Sequence, residues 1–526
     1  MRSMAWTKSR YDFAEPELQT AAHPLLQSLL RPVDELLASG GDTRLTLCLP
    51  SRENSYGCTP FPRPTLIDFA SSTASSISVQ AYERAKQAKS ELVERCLRDG
   101  AEEACDAVMA SARRSLLATL KLEESGTQAI FSPSGTDAQL HALFLAKSLF
   151  HGPVTVIVAG SDQTGSGTAQ TCKGQHFSQT TARGWDVEKG GIISGLGEGL
   201  ESIDIAFSKP NGEFRSLSEM DEATLNAVEA AVSRDRNVLL QAMDASKFGW
   251  RAPSDGCLDT IAQRWPNRVR IVMDACQLRL SRKRLKTHLA KGYCVLVTGS
   301  KYFTGPAFSG ALLVPSQLSR EIAAIRRPPK SLAGYTSCYD WPQQWPSLRT
   351  YLPVELNLGQ WLRWEAALEE MRLYYAVPKS FRDGLTKSFA QSLASLVDAC
   401  PHLGFLATGP DQASTIFAIT LRDDKGSLPP EAVAKIYRGL KRDLSGLAAF
   451  GKMDFATRLC QLGQPVWLPC QNSAALRISL SARVIRSCWS GGEPHRRVVQ
   501  LFEDLSVAIS KLNCLAGRVA DLGEAQ

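Results

Sequence analysis

Between residues 154 and 314 the chain carries a series of short, almost unbroken apolar runs rich in β-branched residues. They are Val154–Ala159, Val238–Met243, Val269–Met273, Cys294–Thr298 and Ala311–Val314. A strand with one wet face alternates apolar and polar side chains; these runs do not, so each must be covered on both faces. Helical stretches such as Asp137–Phe150 and Glu219–Arg234 separate several of them. Strands alternating with crossover helices pair in parallel, so the order predicts an α/β domain with a mostly parallel, doubly wound sheet.

The flanks read differently. Residues 17–38 and 78–120 place Leu, Ala and charged residues at three-to-four spacing, which predicts helix. Between them, Leu49–Pro64 holds Pro50, Pro60, Pro62 and Pro64, which excludes helix and predicts a long ordered arm. Beyond Pro353, helical segments (Trp361–Tyr374, Thr386–Ala399, Pro430–Leu444, Val498–Leu512) surround candidate strands at Thr415–Leu421 and Leu476–Leu480, the pattern of a smaller C-terminal α+β domain. A chain of 526 residues is long enough for two or three packed units. The division expected is an N-terminal arm and helix over 1–75, a large domain over 76–345 and a small domain over 346–526.

Charge and cysteine usage narrow the function classes. Sixty Lys and Arg against 53 Asp and Glu leave +7, a mild excess for this length. No dense basic run is interleaved with aromatics, so a nucleic-acid partner is not expected. The nearest thing, Arg279–Lys286, reads as a solvated segment or an anion-attracting rim. The 14 cysteines form no CxxC and the seven histidines no HxH or HExxH, so no metal site is expected. Unpatterned cysteines in a large chain suggest thiols kept reduced in a cytoplasm. Met1–Glu15 has no apolar core of a signal peptide, and no apolar run approaches a membrane span.

Four segments carry the chemistry. In Ser132–Gln139 (SPSGTDAQ), small residues start a helix whose free N–H groups favour a phosphate, although Ser-Gly-Thr there also makes an ordinary cap. Gln241–Gly249 (QAMDASKFG) puts polar groups at the carboxyl end of an apolar strand, where α/β ligands bind; they also suit a plain loop. In Val272–Gln277 (VMDACQ), Asp274 follows a buried strand and requires a partner, a protonated ring nitrogen or a structural Arg. Val297–Pro306 (VTGSKYFTGP) sets Lys301 at a strand end between Gly299 and Gly305, where partial desolvation would free a nucleophilic amine, although a lone strand-end Lys is usually just a surface cation. Lys301 follows Asp274 by 301 − 274 = 27 residues, room for a crossover helix and the next strand. Gly165-Ser-Gly167 is too short for a dinucleotide site.

In this order the segments resemble a fold-type-I pyridoxal 5′-phosphate (PLP) enzyme of the class-V aminotransferase and cysteine desulfurase group. Asp274–Gln277 is similar to that group's Asp-Ala-x-Gln. Gly299–Pro306 is similar to its Gly-His-Lys-x-x-Gly-Pro, with one extra residue. Ser134–Thr136 resembles its phosphate turn, Ser246–Gly249 its Ser-Asn-x-x-Gly loop, and Ala475–Leu480 its Leu-Arg-x-Ser strand. The likeness runs from about Ser132 to Leu480; residues 1–120 have no counterpart. It implies PLP as cofactor, held by Lys301 as a Schiff base, with Lys301 also moving the substrate Cα proton. Asp274 would pair with the pyridinium nitrogen and Gln277 donate to the ring O3′. Ser134, Gly135, Thr136, Thr298 and Ser300 would hold the phosphate, with Ser246 in the neighbouring loop. Arg477 would clamp a substrate carboxylate.

The departures matter. Where the group stacks a His on the ring, this chain has Ser161–Thr168 without an aromatic, leaving Gln163 or Thr164 against it. Ser300 replaces the His before the lysine, and Lys247 replaces a common Asn, adding a cation near the cofactor or an anionic substrate. Neither Cys460 nor Cys470 sits in the small-residue loop a desulfurase needs. The expected activity is therefore elimination, replacement or C–C bond formation on an L-amino acid in specialised metabolism. Transamination and a non-catalytic PLP-fold regulator are the alternatives. The likeness also implies a homodimer with sites at the interface, and the aromatic loop Tyr335–Tyr351 is the candidate to reach the partner.

Overall fold

A computed structural model describes residues 24–406, 415–468, 471–489 and 492–523. The N-terminal stretch read for a signal peptide, the first part of the helix expected over 17–38, and Cys470 lie outside the described residues.

The strands, in chain order, begin with β1 (Ile67–Phe69), β2 (Gln128–Ser132), β3 (Val154–Ala159) and β4 (Leu200–Ile205). Then follow β5 (Asn237–Met243), β6 (Val269–Ala275), β7 (Cys294–Thr298) and β8 (Gly310–Val314). Strands β2 to β8 form one sheet in the order β2-β8-β7-β6-β5-β3-β4. All neighbours from β4 to β7 pair in parallel; β8 runs antiparallel to both β7 and β2. This is the mostly parallel, doubly wound sheet expected, and β3, β5, β7 and β8 are buried along their whole length. The edge strand β4 was not foreshadowed by an apolar run because it is only half-buried. The winding reverses between β3 and β5: the chain leaves β3 towards the β4 edge and leaves β5 towards β6. The carboxyl ends of these two strands are the switch point where such sheets bind ligands.

The C-terminal part is α+β, as expected. Strands β9 (Leu403–Phe405), β10 (Ile416–Asp423), β11 (Gly426–Ser427), β12 (Cys460–Leu468) and β13 (Ser473–Ser479) build a second sheet, ordered β1-β12-β13-β10-β11 with β9 on β10. Its far edge, β1, comes from the N-terminal segment and pairs in parallel with β12. The segment expected as an arm thus supplies a strand to the C-terminal sheet.

Local chemistry explains two further differences. The helix expected over 78–120 is broken into Val79–Asp99 and Ala101–Thr119 by Gly100, whose φ of 90° no helix tolerates. Arg279–Lys286 is not a solvated run. Arg279 donates to Thr415, to the Leu480 carbonyl and to Ser71 Oγ, and burial pushes its pKa down to about 9. Arg284 pairs with Asp244 and Asp255. Lys283 and Lys286 remain exposed.

The aromatic loop is likewise spent within the chain. Tyr335, Tyr339, Trp341 and Trp345 are buried, Trp341 packing on His141 and Phe144; of the loop's aromatics only Tyr351 is exposed. Among the described residues no helix is long and apolar enough to cross a membrane.

Two glycines lock the turn after β7 against helix Leu358–Tyr375. A Cβ on Gly299 or on Gly305 would lie 2.5 Å from the Cβ of Ala367, closer than atoms approach. The glycines flanking Lys301 are therefore fixed by packing, and they hold the lysine's backbone against a rigid helix.

Candidate active site

The carboxyl ends of β3, β5, β6 and β7, the start of helix Gly135–Leu149, and segments 72–74 and 464–468 enclose a cavity of about 640 Å³. Ser134, Gly135, Thr136, Gln163, Thr164, Ser246, Lys247, Asp274, Gln277, Thr298, Ser300, Lys301 and Arg477 all line it. Residues up to 343 positions apart (477 − 134) are thus brought to one space, although several are bonded differently from the expectation.

At the helix start, Ser134 makes a capping box with Asp137. Its Oγ donates to Asp137 Oδ2 (2.5 Å) and accepts from the Asp137 N–H, while its own N–H donates to the same carboxylate. Ser134 is therefore a cap first; the donors left are the N–H groups of Gly135 and Thr136, which no helical carbonyl can reach. Gly135 is dictated by space, since a Cβ would sit 2.6 Å from Cys276 Sγ. Burial foremost, with Asp42 nearby, pushes the Asp137 carboxyl up to about 7.

The cation of this cup was not visible in the sequence. Arg44, in a 3-10 turn (Thr43–Leu45) ahead of the proline-rich segment, reaches Thr136 Oγ1 and Ser134 Oγ at 3.4 Å. Asp42 holds it through Nε and Nη2 (2.9 and 2.6 Å), and it lies over the Phe308 ring at 4.9 Å. Segment 72–74 is the other missed wall. A run of small polar residues directly after a strand (ASSTASS, 70–76) was the available signal.

Around Lys301 the groups are well fixed. The turn closes through Thr304 N–H to the Lys301 carbonyl and Gly305 N–H to the Gly299 carbonyl, both at 2.9 Å. Asp274, near the end of β6, accepts the Cys276 N–H at 3.0 Å; among the described residues no Lys, Arg or His pairs with it. The Cys276 thiol lies within the field of both Lys301 and Asp274, and burial, then Asp274, hold its pKa well above the ordinary value. Thr298 gives its hydroxyl proton to the Cys276 carbonyl (2.6 Å), so towards a ligand it can only accept. Gln277 donates to the Ser72 carbonyl (2.9 Å) and accepts from Arg279. Ser300 lines the cavity, and its hydroxyl has no hydrogen-bond partner among the described residues.

At the switch point, Ser246 Oγ donates to Gln163 Oε1 (2.5 Å), fixing which end of that amide faces inward. The Ser246 oxygen also accepts the N–H groups of Phe248 and Trp250, so Ser246 acts through Gln163 and the loop. Gln163 Nε2 and Ser72 Oγ are buried without a partner among the described residues, and both residues line the cavity. Buried donors left unmade are costly, which marks a place where a polar ligand supplies the bond. Thr164 is turned to the Ser161 carbonyl.

Arg477, on β13, is buried, and that burial lowers its pKa to about 10. Its Nε and Nη2 donate to the Gln464 carbonyl, Nη2 also to Thr73 Oγ1, and Nη1 to the Ser72 carbonyl at 3.3 Å. Among the described residues it has no carboxylate. The guanidinium is preset on neutral acceptors, so a bidentate grip on a substrate requires trading some of these bonds.

Cys460 is buried in β12, and burial pushes its thiol up to about 11, unsuited to nucleophilic attack.

No protein-family model matches the chain, and no curated protein matches it in sequence. Its fold, however, is similar to solved PLP enzymes. The cystine C-S lyase C-DES in complex with cysteine persulfide superposes with a TM-score of 0.51 at 14% identity, covering 84% of this chain and 97% of that one. TDC of Oryza sativa with PLP and tryptamine gives 0.50 at 13%, covering 85% and 83%. Ureidoglycine-glyoxylate aminotransferase of Bacillus subtilis gives 0.50 at 12%, covering 86% and 95%. The chain therefore has the fold-type-I architecture of PLP-dependent enzymes.

Proposed function

We propose that this protein is a PLP-dependent enzyme acting on an L-amino acid through Lys301, by elimination, replacement or C–C bond formation. The observation that carries the reading is the convergence of the Lys301 amine, the Asp274 carboxylate, which has no ion-pair partner among the described residues, and the helix start at Ser134–Thr136 on a single cavity.

The donor set fits the cofactor. The N–H groups of Gly135 and Thr136, the Ser300 hydroxyl and the Arg44 guanidinium supply a phosphate with donors and positive charge. Asp274 waits for a cation, which a pyridinium nitrogen would provide. The inward N–H of Gln163 is an unspent donor for a polar ring substituent or a substrate oxygen. Bound there, PLP supplies an electron sink for bonds broken at the substrate Cα. Lys301 is the amine that holds the cofactor and the base that moves the proton at Cα. Arg477 orients the α-carboxylate. No histidine lines the cavity among the described residues, so proton transfer rests on Lys301.

Removing the cup's cation should loosen the cofactor. Arg44→Gln is expected to weaken PLP affinity by about 10- to 100-fold, as for loss of a charge-assisted hydrogen bond. Equilibrium dialysis against PLP and against inorganic phosphate checks it; unchanged retention of both would remove Arg44 from the cup.

The reaction is tested by incubating the cofactor-loaded protein with a panel of L-amino acids. Repeated release of a leaving group, ammonia or a new C–C product, with the cofactor staying in its PLP form, supports the proposal. Stoichiometric conversion to the pyridoxamine form, reversed by 2-oxo acids, would make it a transaminase instead.

A further inference from the structure

Resting on the reading above, we infer that the substrate carries a second anionic group on its side chain, received by Lys247 while Arg477 takes the α-carboxylate. The substrate class is an acidic L-amino acid.

The argument is a charge inventory of the cavity. Its cations are Arg44, Lys247, Lys301 and Arg477; its anions are Asp162 and Asp274. Arg44 is already paired with Asp42. Asp162 is held by the N–H groups of Phe207 and Ser208 (2.8 and 3.0 Å) and by the Ser208 hydroxyl (2.7 Å); its charge acts on Lys247, but among the described residues the two form no ion pair. Asp274 is reserved for the cofactor nitrogen. Among the described residues, neither Lys247 nor Arg477 has a carboxylate partner, and no acceptor is bonded to the Lys247 ammonium.

Lys247 is half-buried at the carboxyl end of β5, its backbone N–H against the Gln163 carbonyl. It sits in the field of Arg477 and Lys301, whereas the charges acting on Arg44 are those of Tyr56, Asp42 and Asp137. The two cationic centres are therefore separate: Arg44 belongs to the phosphate cup, Lys247 to the substrate end. A half-buried ammonium beside two other cations is held in place at a cost unless an anion arrives. One α-carboxylate neutralises Arg477 and leaves Lys247 unmatched; a second anion completes the set. With a neutral side chain Lys247 would stay in the field of Arg477 and Lys301 with Asp162 alone opposing them, and a basic side chain would add to the repulsion.

Desolvation first, then Arg477 and Lys301, lower the Lys247 pKa to about 8, with Asp162 opposing. These are the charged groups acting on it from β13, the turn after β7 and the loop after β3. The second-anion interaction needs the ammonium, so it is strongest well below the lowered Lys247 pKa and is lost as pH rises through it.

The test is spectral titration of the cofactor-loaded protein with matched pairs: L-aspartate against L-asparagine, L-glutamate against L-glutamine, and O-phospho-L-serine and L-cysteate against L-serine. At least one acid is expected to bind about 10- to 100-fold tighter than its neutral partner, the scale of a hydrogen bond to a charged group. The pair with the largest ratio tells carboxylate from phosphate or sulfonate. K247M should level that pair, K247R should retain the preference, and the wild-type ratio should shrink between pH 7 and 9. Equal affinities within every pair, no binding by any acid, or a ratio unchanged in K247M would overturn the inference. A protein that takes up no borohydride-fixable PLP fails the earlier reading instead, which keeps the two failures distinct.

Discussion

Lys301→Ala is expected to eliminate covalent retention of PLP and to lower turnover by about 10²- to 10⁴-fold from the lost proton transfer alone. Loss of covalent attachment adds to that. In the wild type, borohydride should fix the cofactor to the chain, and peptide mapping should find it on the segment containing Lys301. In the variant the visible absorbance of bound cofactor should shift or vanish, while the fold persists. The fold should persist because the turn around Lys301 is held by its backbone bonds and by the fit of Gly299 and Gly305 against Ala367, none of which uses the lysine side chain. That separation makes the experiment decisive: an unchanged spectrum in a folded variant ends the assignment of Lys301.

How much of this was legible follows from which interactions are local. The central strands announce themselves, because burial on both faces forces unbroken apolar runs, and the turns after β6 and β7 carry motif residues next to those runs. Gly299 and Gly305 were readable as punctuation, though the reason for them, contact with Ala367, lies 62 residues beyond Gly305 (367 − 305). Edge strands such as β4 lack the apolar signature and were missed. Arg44 could not be found at all from spacing: its partners at 134 and 136 are some 90 residues away. Ser72 had only its small polar run as a signal, and the partners of its carbonyl, Gln277 and Arg477, lie far along the chain. Hydrogen bonding also redirects residues that line the cavity. Ser134, Thr298 and Ser246 line it, but their hydroxyl protons are committed to Asp137, Cys276 and Gln163. Location was encoded in motif; direction was not.

Asp274→Asn should move stability and activity in opposite senses. Asp274 is 8% exposed and, among the described residues, pairs with no cation. In the cofactor-free protein its charge has no ion-pair partner among the described residues, and a neutral amide of the same shape can still accept the Cys276 N–H. Removing the charge should therefore stabilise that form by about 1 kcal/mol, the low end of the cost of burying an unpaired group. With cofactor the balance should reverse: in the proposed role the carboxylate would pair with the ring nitrogen, and losing a preorganised electrostatic partner of this kind would cost about 10²- to 10³-fold in kcat. PLP affinity should fall about tenfold or more through the lost charged hydrogen bond. Thermal denaturation with and without PLP, read beside turnover, gives the crossing: the variant melts higher than wild type when empty, and the gap narrows or inverts on loading. A variant that is destabilised in both forms would mean that the carboxylate serves the fold of the β6 turn and that the cofactor nitrogen is held by something else.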